Sequence, residues 1–107
     1  MPILEWARYV QMHLRGACGK KDLLPSSVLR QLQAPFRKGS PYARGWMAGE
    51  RSWAGGKVLS HSGSNTMWYC VVWIAPKKDL AILVTCNQGG DNAFKACDAA
   101  VQLALPK

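Results

Sequence analysis

Two apolar runs separated by a short turn constrain the fold of this chain most strongly. The segments 67–75, MWYCVVWIA, and 80–86, LAILVTC, are rich in aromatic and β-branched residues. The four residues between them, PKKD, have turn chemistry. The two runs therefore predict an antiparallel hairpin. Both are too apolar for a sheet with one face in water, so we expect other elements to cover both faces.

Helices are predicted on both sides of this hairpin in the sequence. Apolar residues recur at helical spacing from Pro2 to Arg15, and Gly16 and Gly19 predict the end of that helix. A serine at 26 or 27 is a candidate cap for a short helix over 28–33. After Gly89 and Gly90, an acid or amide at 91 or 92 predicts a last helix. Its expected apolar face is Phe94, Cys97, Val101 and Leu105.

The middle of the chain supplies the rest of the sheet. Residues 42–50 predict a short strand centred on Trp46, residues 53–56 a turn, and residues 57–61 the start of another strand. The order of elements predicts an α+β fold. It comprises an antiparallel sheet of three to four strands flanked by N- and C-terminal helices, in one domain over residues 1–107.

The charge of the chain leaves two interpretations open. Its formal charge of +8 fits either a polyanionic partner or a basic, soluble surface. The basic residues are scattered, with no dense stripe and no recognisable nucleic-acid motif, so nucleic acid is not favoured as a partner.

Several classes of site and targeting signal find no support. No apolar run reaches the ~20 residues of a membrane span. The start, MPILEWARYV, lacks the features of a signal peptide, and the compartment stays open. The four cysteines show no C-x-x-C spacing, which favours buried free thiols, and no metal or cofactor is predicted.

The stretch HSGSN, residues 61–65, is the best candidate for chemistry. In a strand, His61 shares one face with Gly63 and Asn65, while Ser62 and Ser64 point the other way. A histidine on the opposite face is poorly placed to take a proton from the neighbouring serine, so a self-contained Ser–His pair is not favoured. The alternatives are a polar bend between strands or one wall of a site. In the second case Gly63 lets a substrate lie against the strand, backbone N–H groups serve an oxyanion, and His61 supplies a titrating charge.

The run KVLSHSGSNTMWYCVVWIAPKKDLAILVTCNQGG resembles the C-terminal part of serine β-lactamase-like hydrolases. These comprise class C β-lactamases, related carboxylesterases and penicillin-binding-protein homologues. His61-Ser62-Gly63 matches their third motif, which is followed by a hairpin with proline at its turn, a strand ending in Asn, and a terminal helix. The resemblance implies a partial β-lactamase-like (transpeptidase-like) fold. In the complete enzyme it implies hydrolysis of a small-molecule ester or amide through a serine acyl-enzyme.

The same resemblance implies roles for the five residues. His61 takes the cationic position of the motif, Ser62 its hydroxyl position, and the backbone N–H of Ser64 is one oxyanion donor; these three are the catalytic candidates. Gly63 lets the substrate pair along the strand and Asn65 lies near the rim, so these two are the substrate-binding candidates.

The nucleophile of that family is missing from the sequence. No serine begins a Ser-x-x-Lys motif, and no Tyr-x-Asn or suitable Ser-x-Asn precedes His61. The sequence therefore predicts a C-terminal fragment that is weak or inactive without an N-terminal half. The alternative is a stand-alone interaction module that self-associates as a homo-oligomer through an exposed sheet edge, with Trp46, Trp68 and Trp73 near that edge.

Overall fold

The computed structural model, which describes residues 1–106, is an α+β fold with a four-stranded antiparallel sheet. In the described residues the order of helices and strands is α1 (Ile3–Ala17), α2 (Ser26–Gln33), β1 (Met47–Arg51), β2 (Gly56–Ser64), β3 (Tyr69–Ala75), β4 (Leu80–Cys86) and α3 (Asp91–Ala104). Short 3-10 turns, Ser52–Ala54 and Pro76–Lys78, close the β1–β2 and β3–β4 connections. The general α+β prediction and the β3–β4 hairpin are confirmed.

The strands lie in sequence order, β1-β2-β3-β4, so β1 and β4 are the two edges of the sheet. Both central strands pair on both sides: Leu59 of β2 lies opposite Ala48 of β1 and Ile74 of β3, and Ile74 lies opposite Ala81 of β4. This meander needs only short connections because each antiparallel neighbour can be reached by a tight turn.

Helices cover opposite faces of the sheet. Val10 and Leu14 of α1 pack with Leu59, Val72 and Ile74 on one face. On the other face, the helical residues Cys97 and Val101 pack with the strand residues Val71 and Ile82. Consecutive residues of β3, Val71 and Val72, are therefore both buried, which accounts for the unbroken apolar run in this strand.

Two predicted helix signals are wrong. Gly16 does not stop α1 but lies inside it, buried against Leu29 of α2. Gly19 ends the helix as predicted: it follows the C-cap with a φ of 79°, and its N–H bonds to the carbonyl of Gly16. Pro25, rather than a serine, occupies the N-cap of α2, and both serines lie in the first turn without a capping bond. Pro25 fits this position because its ring fixes φ near the extended values that a residue before a helix adopts.

The predicted position of Trp46 is also wrong, and the predicted face of α3 is less fully buried than expected. Trp46 precedes β1 and is buried in the core on the α1 face, with 3% of its surface exposed. Trp73 lies in the central strand β3 rather than at an edge. Of the three tryptophans expected near a sheet edge, only Trp68 is largely exposed. On α3, Cys97 and Val101 are buried as expected, and Leu105 packs against the same cluster. Phe94 lies edge-on against Tyr69 of β3 at 6.0 Å but stays 56% exposed.

Candidate functional site

The HSGSN stretch lies at one end of the sheet, where β2 turns into β3. Residues 61–64 belong to β2, and Asn65 begins the connection. His61 and Gly63 pair with Val72 and Cys70 on the face that α1 covers, while Ser62 and Ser64 pair with Val71 and Tyr69 on the α3 face. The predicted alternation of side chains is therefore present.

Most of the polarity in this stretch serves the turn itself. The hydroxyl of Ser64 donates to the carbonyl of Trp68 at 2.8 Å and accepts the N–H of Thr66 at 3.1 Å. The Oδ1 atom of Asn65 accepts the N–H groups of Met67 at 3.1 Å and Trp68 at 2.9 Å. These bonds satisfy backbone groups that the β2–β3 ladder leaves unpaired. The Ser64 hydroxyl is therefore already engaged within the turn.

A cavity of about 390 Å³ opens beside this turn. Its polar wall is Gly63, Ser64 and Asn65, and its remaining lining consists of Met1, Ile3, Trp68, Tyr69, Cys70, Thr85 and Cys86. A volume of this size is within the range of small-molecule pockets, and a mostly apolar lining with few polar groups is typical of them. The cavity thus gathers three of the five candidate residues; His61 and Ser62 do not line it.

Gly63 lines this cavity, and Gly89 lies against the neighbouring turn. A Cβ atom on Gly63 would lie 3.6 Å from Sγ of Cys70, an ordinary contact, so the absence of a side chain leaves usable space rather than relieving strain. A Cβ on Gly89 would lie 2.5 Å from the carbonyl carbon of Thr66, which no side chain can tolerate. The loop after β4 therefore rests directly on the β2–β3 turn.

His61 and Ser62 are exposed at the surface beside the cavity. Within residues 1–106, His61 makes no side-chain hydrogen bond and no ion pair. A general base needs a proton within hydrogen-bond reach, and a histidine base is usually oriented by a second group. The described part of the chain brings no serine hydroxyl and histidine together in this way.

The thiols near the cavity do not form a reactive pair. Cys70 and Cys86 lie on adjacent strands but on opposite faces, since Cys70 pairs with Thr85 and Cys86 with Tyr69. All four cysteines are free thiols. Burial, and then the neighbouring Cys86 thiol, raise the pKa of Cys97, which makes its thiol less reactive.

A polar cluster that sequence reasoning did not identify lies between α1 and α2. His13 is only 2% exposed, and its ring contacts those of Tyr9 and Trp46. The side-chain amide of Gln33 donates to Nδ1 of His13 at 3.0 Å and to its backbone carbonyl at 2.9 Å. Nδ1 is then the acceptor, so the neutral ring carries its proton on Nε2 and donates it to the Tyr9 hydroxyl, 3.1 Å away.

The bonds of the His13 cluster join α1 to α2. Burial lowers the pKa of His13 below its ordinary value of 6.5, which favours the neutral ring that this bonding pattern requires. The helical spacing of Tyr9 and His13 was the sequence signal available for this cluster. Their partner Gln33 lies on another helix, so the spacing alone does not predict its contact with His13.

The described residues hold no group of three or more His, Cys, Asp or Glu side chains arranged to bind a metal ion. Among residues 1–106, no helix has the length and apolar character needed to cross a membrane.

Comparisons with protein-family models, with curated proteins and with solved structures found no match for this chain. The motif, the cavity and the order of the structural elements are therefore the features from which a function can be inferred.

Proposed function

We propose that this chain forms one wall of an acyl-transfer site of the serine β-lactamase-like type, and that the nucleophile comes from another polypeptide segment. The observation that carries the proposal is the cavity at the end of β2, where Gly63, Ser64 and Asn65 form the polar wall. The complete enzyme would hydrolyse a small ester or amide through an acyl-serine.

The order of elements supports the proposed partial β-lactamase-like fold. The strand that carries His61-Ser62-Gly63 is followed by a hairpin with Pro76 at its turn, a strand ending one residue before Asn87, and a terminal helix. These elements follow the motif in the order that the resemblance implies.

Exposed apolar side chains around the cavity support a separate covering segment. Met1 is 91% exposed, Ile3 41% and Trp68 57%, and all three line the cavity. Contiguous exposed apolar surface of this kind commonly marks a site of interaction. A segment that delivers the nucleophile would bury these side chains as it completes the pocket.

The cavity supports some of the proposed roles better than others. Gly63 leaves the strand open to a substrate, and Ser64 contributes a backbone N–H as the oxyanion donor. Asn65 shapes the rim through the turn rather than through a contact of its own. His61 and Ser62 lie outside the cavity, so their roles in handling a substrate carboxylate depend on how the covering segment extends the site.

Ligand binding to the cavity tests the proposal without requiring catalysis. Titration of the labelled chain with N-acetylalanine, a small acylated amino acid, should shift the amide NMR signals of residues 63–65. Gly63→Val should abolish the shifts because its side chain would occupy the space beside Cys70. Ser60→Val, on the same strand but outside the lining of this cavity, should retain them. Shifts spread over the whole surface, or unchanged shifts in Gly63→Val, would refute the assignment of the cavity.

Catalysis by the isolated chain provides a second test. We expect no hydrolysis of a chromogenic β-lactam or a p-nitrophenyl ester above the rate in buffer, because loss of a nucleophile commonly costs about 10⁶-fold in rate. Turnover that disappears in His61→Ala would show an independent active site and contradict the proposed missing nucleophile.

Self-association through a sheet edge is the second candidate function. The observation that favours it is the outer edge of β4, a strand of seven residues, Leu80–Cys86, without a charged side chain. Charged residues on edge strands are a common protection against pairing, and β4 lacks them. A second copy pairing antiparallel along β4 should appear as a dimer in sedimentation, and Thr85→Lys, at an exposed position of this strand, should reduce it. A compact monomer at high concentration would contradict this candidate.

A further inference from the structure

Basic side chains that are scattered in the sequence meet at the end of the sheet opposite the cavity. Arg51 ends β1, Lys57 lies at the start of β2, and Lys77 and Lys78 form the β3–β4 turn. Lys20 and Lys21 follow α1. We call these six residues the basic end.

Contacts between the turns bring these residues together. A Cβ atom on Gly56 would lie 3.0 Å from Nζ of Lys77, and one on Gly55 would lie 3.9 Å from Cε of Lys78. The lysines of one turn therefore lie over the glycines of the other. The thiol of Cys18 donates to the carbonyl of Pro76 at 3.4 Å, which places the C-terminal end of α1, followed by Lys20 and Lys21, beside the same turn.

The basic end has little internal compensation for its charge. All six side chains are exposed, and the acids within the same strands and turns are Glu50, opposite Lys57, and Asp79. In residues 1–106 the ion pairs are Arg8–Glu5 and Arg15–Asp22, so none of the six takes part in one. Clustered like charges repel one another, and a bound polyanion would relieve this repulsion.

A second cavity adjoins the basic end. It has a volume of about 310 Å³, and Arg51 and Trp73 are among its lining residues. The guanidinium carbon of Arg51 lies 5.3 Å from the centre of the Trp73 ring, and Trp53 packs edge-on against Trp73 at 6.0 Å. Arginine and aromatic rings beside a basic surface are the features that receive unpaired bases in single-strand binders.

We propose that the basic end binds single-stranded nucleic acid, with the lysines on the phosphates and the Arg51–Trp73 cavity beside an unpaired base. An anionic membrane is the less favourable partner. Proteins that lie on membranes combine basic residues with several apolar side chains that insert. Neither the β1–β2 nor the β3–β4 turn carries an exposed large apolar side chain, and the segment after α1 contributes Leu23 alone. The surface is at the opposite end of β2 from HSGSN, so this binding is independent of the proposed hydrolase site.

Fluorescence anisotropy with a labelled 20-nucleotide oligothymidylate, measured over a range of salt concentrations, tests this proposal. Four to six phosphate contacts predict a slope of log K against log salt of about −3 to −4, at about −0.7 per contact. Lys77→Gln/Lys78→Gln should weaken binding and reduce the slope by about 1.4. Arg37→Gln/Lys38→Gln is the matched control, because it removes the same charge from the loop between α2 and β1 and should leave the slope nearly unchanged.

The same assay distinguishes the other partners. A matched duplex should bind more weakly than the single strand because its bases are unavailable for stacking. Equal losses in the two double variants would show diffuse attraction by net charge and overturn the site. Binding to phosphatidylserine vesicles without binding to the oligonucleotide would overturn the assigned partner, as would absence of binding at 50 mM salt.

Discussion

The packing of α1 against α2 predicts that Gly16→Ala destabilises the protein, although alanine is normally the better helix residue. In the interior of a helix the exchange should contribute about 1 kcal/mol in favour of alanine. At this position the new Cβ would lie 2.6 Å from Cβ of Leu29, a residue with no exposed surface. Carbon atoms in contact prefer about 3.5–4.0 Å, so the two helices must separate by about 1 Å.

The two opposing effects can be compared in magnitude. Overpacking of a core typically costs about 1–3 kcal/mol, and the upper end applies because Cβ of Leu29 is fixed to the backbone and cannot rotate away. Subtracting the helix preference leaves a net loss of about 2 kcal/mol in the free energy of unfolding. For a domain of this size that corresponds to a decrease in Tm of roughly 8–16 °C.

Thermal unfolding followed by circular dichroism measures this decrease. Ala96→Gly, at an exposed position inside α3, is the control for helix preference alone and should cost about 1 kcal/mol. A Tm for Gly16→Ala equal to or above that of the parent protein would refute the packing argument, because helix preference would then outweigh the overlap with Leu29.

Two further predictions concern the polar groups. In the unfolded chain His13 is protonated near pH 6.5, whereas burial lowers its pKa in the folded chain. Protonation therefore favours the unfolded chain, and the free energy of unfolding should fall as the pH decreases through 6.5. The midpoints of urea unfolding at pH 7.5 and 5.5 measure this loss of stability. The difference between the two midpoints should be much smaller in His13→Asn, and equal midpoints in the parent protein would contradict the prediction. Asn65→Ala removes the acceptor of two backbone N–H groups and should cost about 1 kcal/mol in urea unfolding, whereas Asn65→Asp keeps the acceptor. A parent-like midpoint for Asn65→Ala would show that the turn forms without these bonds.

The hairpin was predictable because its signal is local. Pro76, Lys77 and Asp79 favour a turn, and the runs on either side have the composition of covered strands, so the bounds of β4 agree with the prediction. The position of Trp46 was not predictable from the same rules. Its aromatic side chain suits a strand, but packing on α1 places it in the core before β1 begins.

Part of the candidate site was also predictable. Alternation along a strand correctly separates His61 and Gly63 from Ser62 and Ser64. The engagement of Ser64 and Asn65 in the turn depends on where β2 ends, and periodicity does not determine element boundaries. The basic end was missed for a different reason: its residues come from four separate segments, and only the pairing of the strands brings Lys57 close to Lys77.

The contact between Gly89 and Thr66 has a consequence for the stability of the two loops. Because the two backbone segments touch directly, no side chain fits between them at this point. Gly89→Ala would therefore push the loop after β4 away from the β2–β3 turn, and amide hydrogens in both segments should lose protection from exchange together.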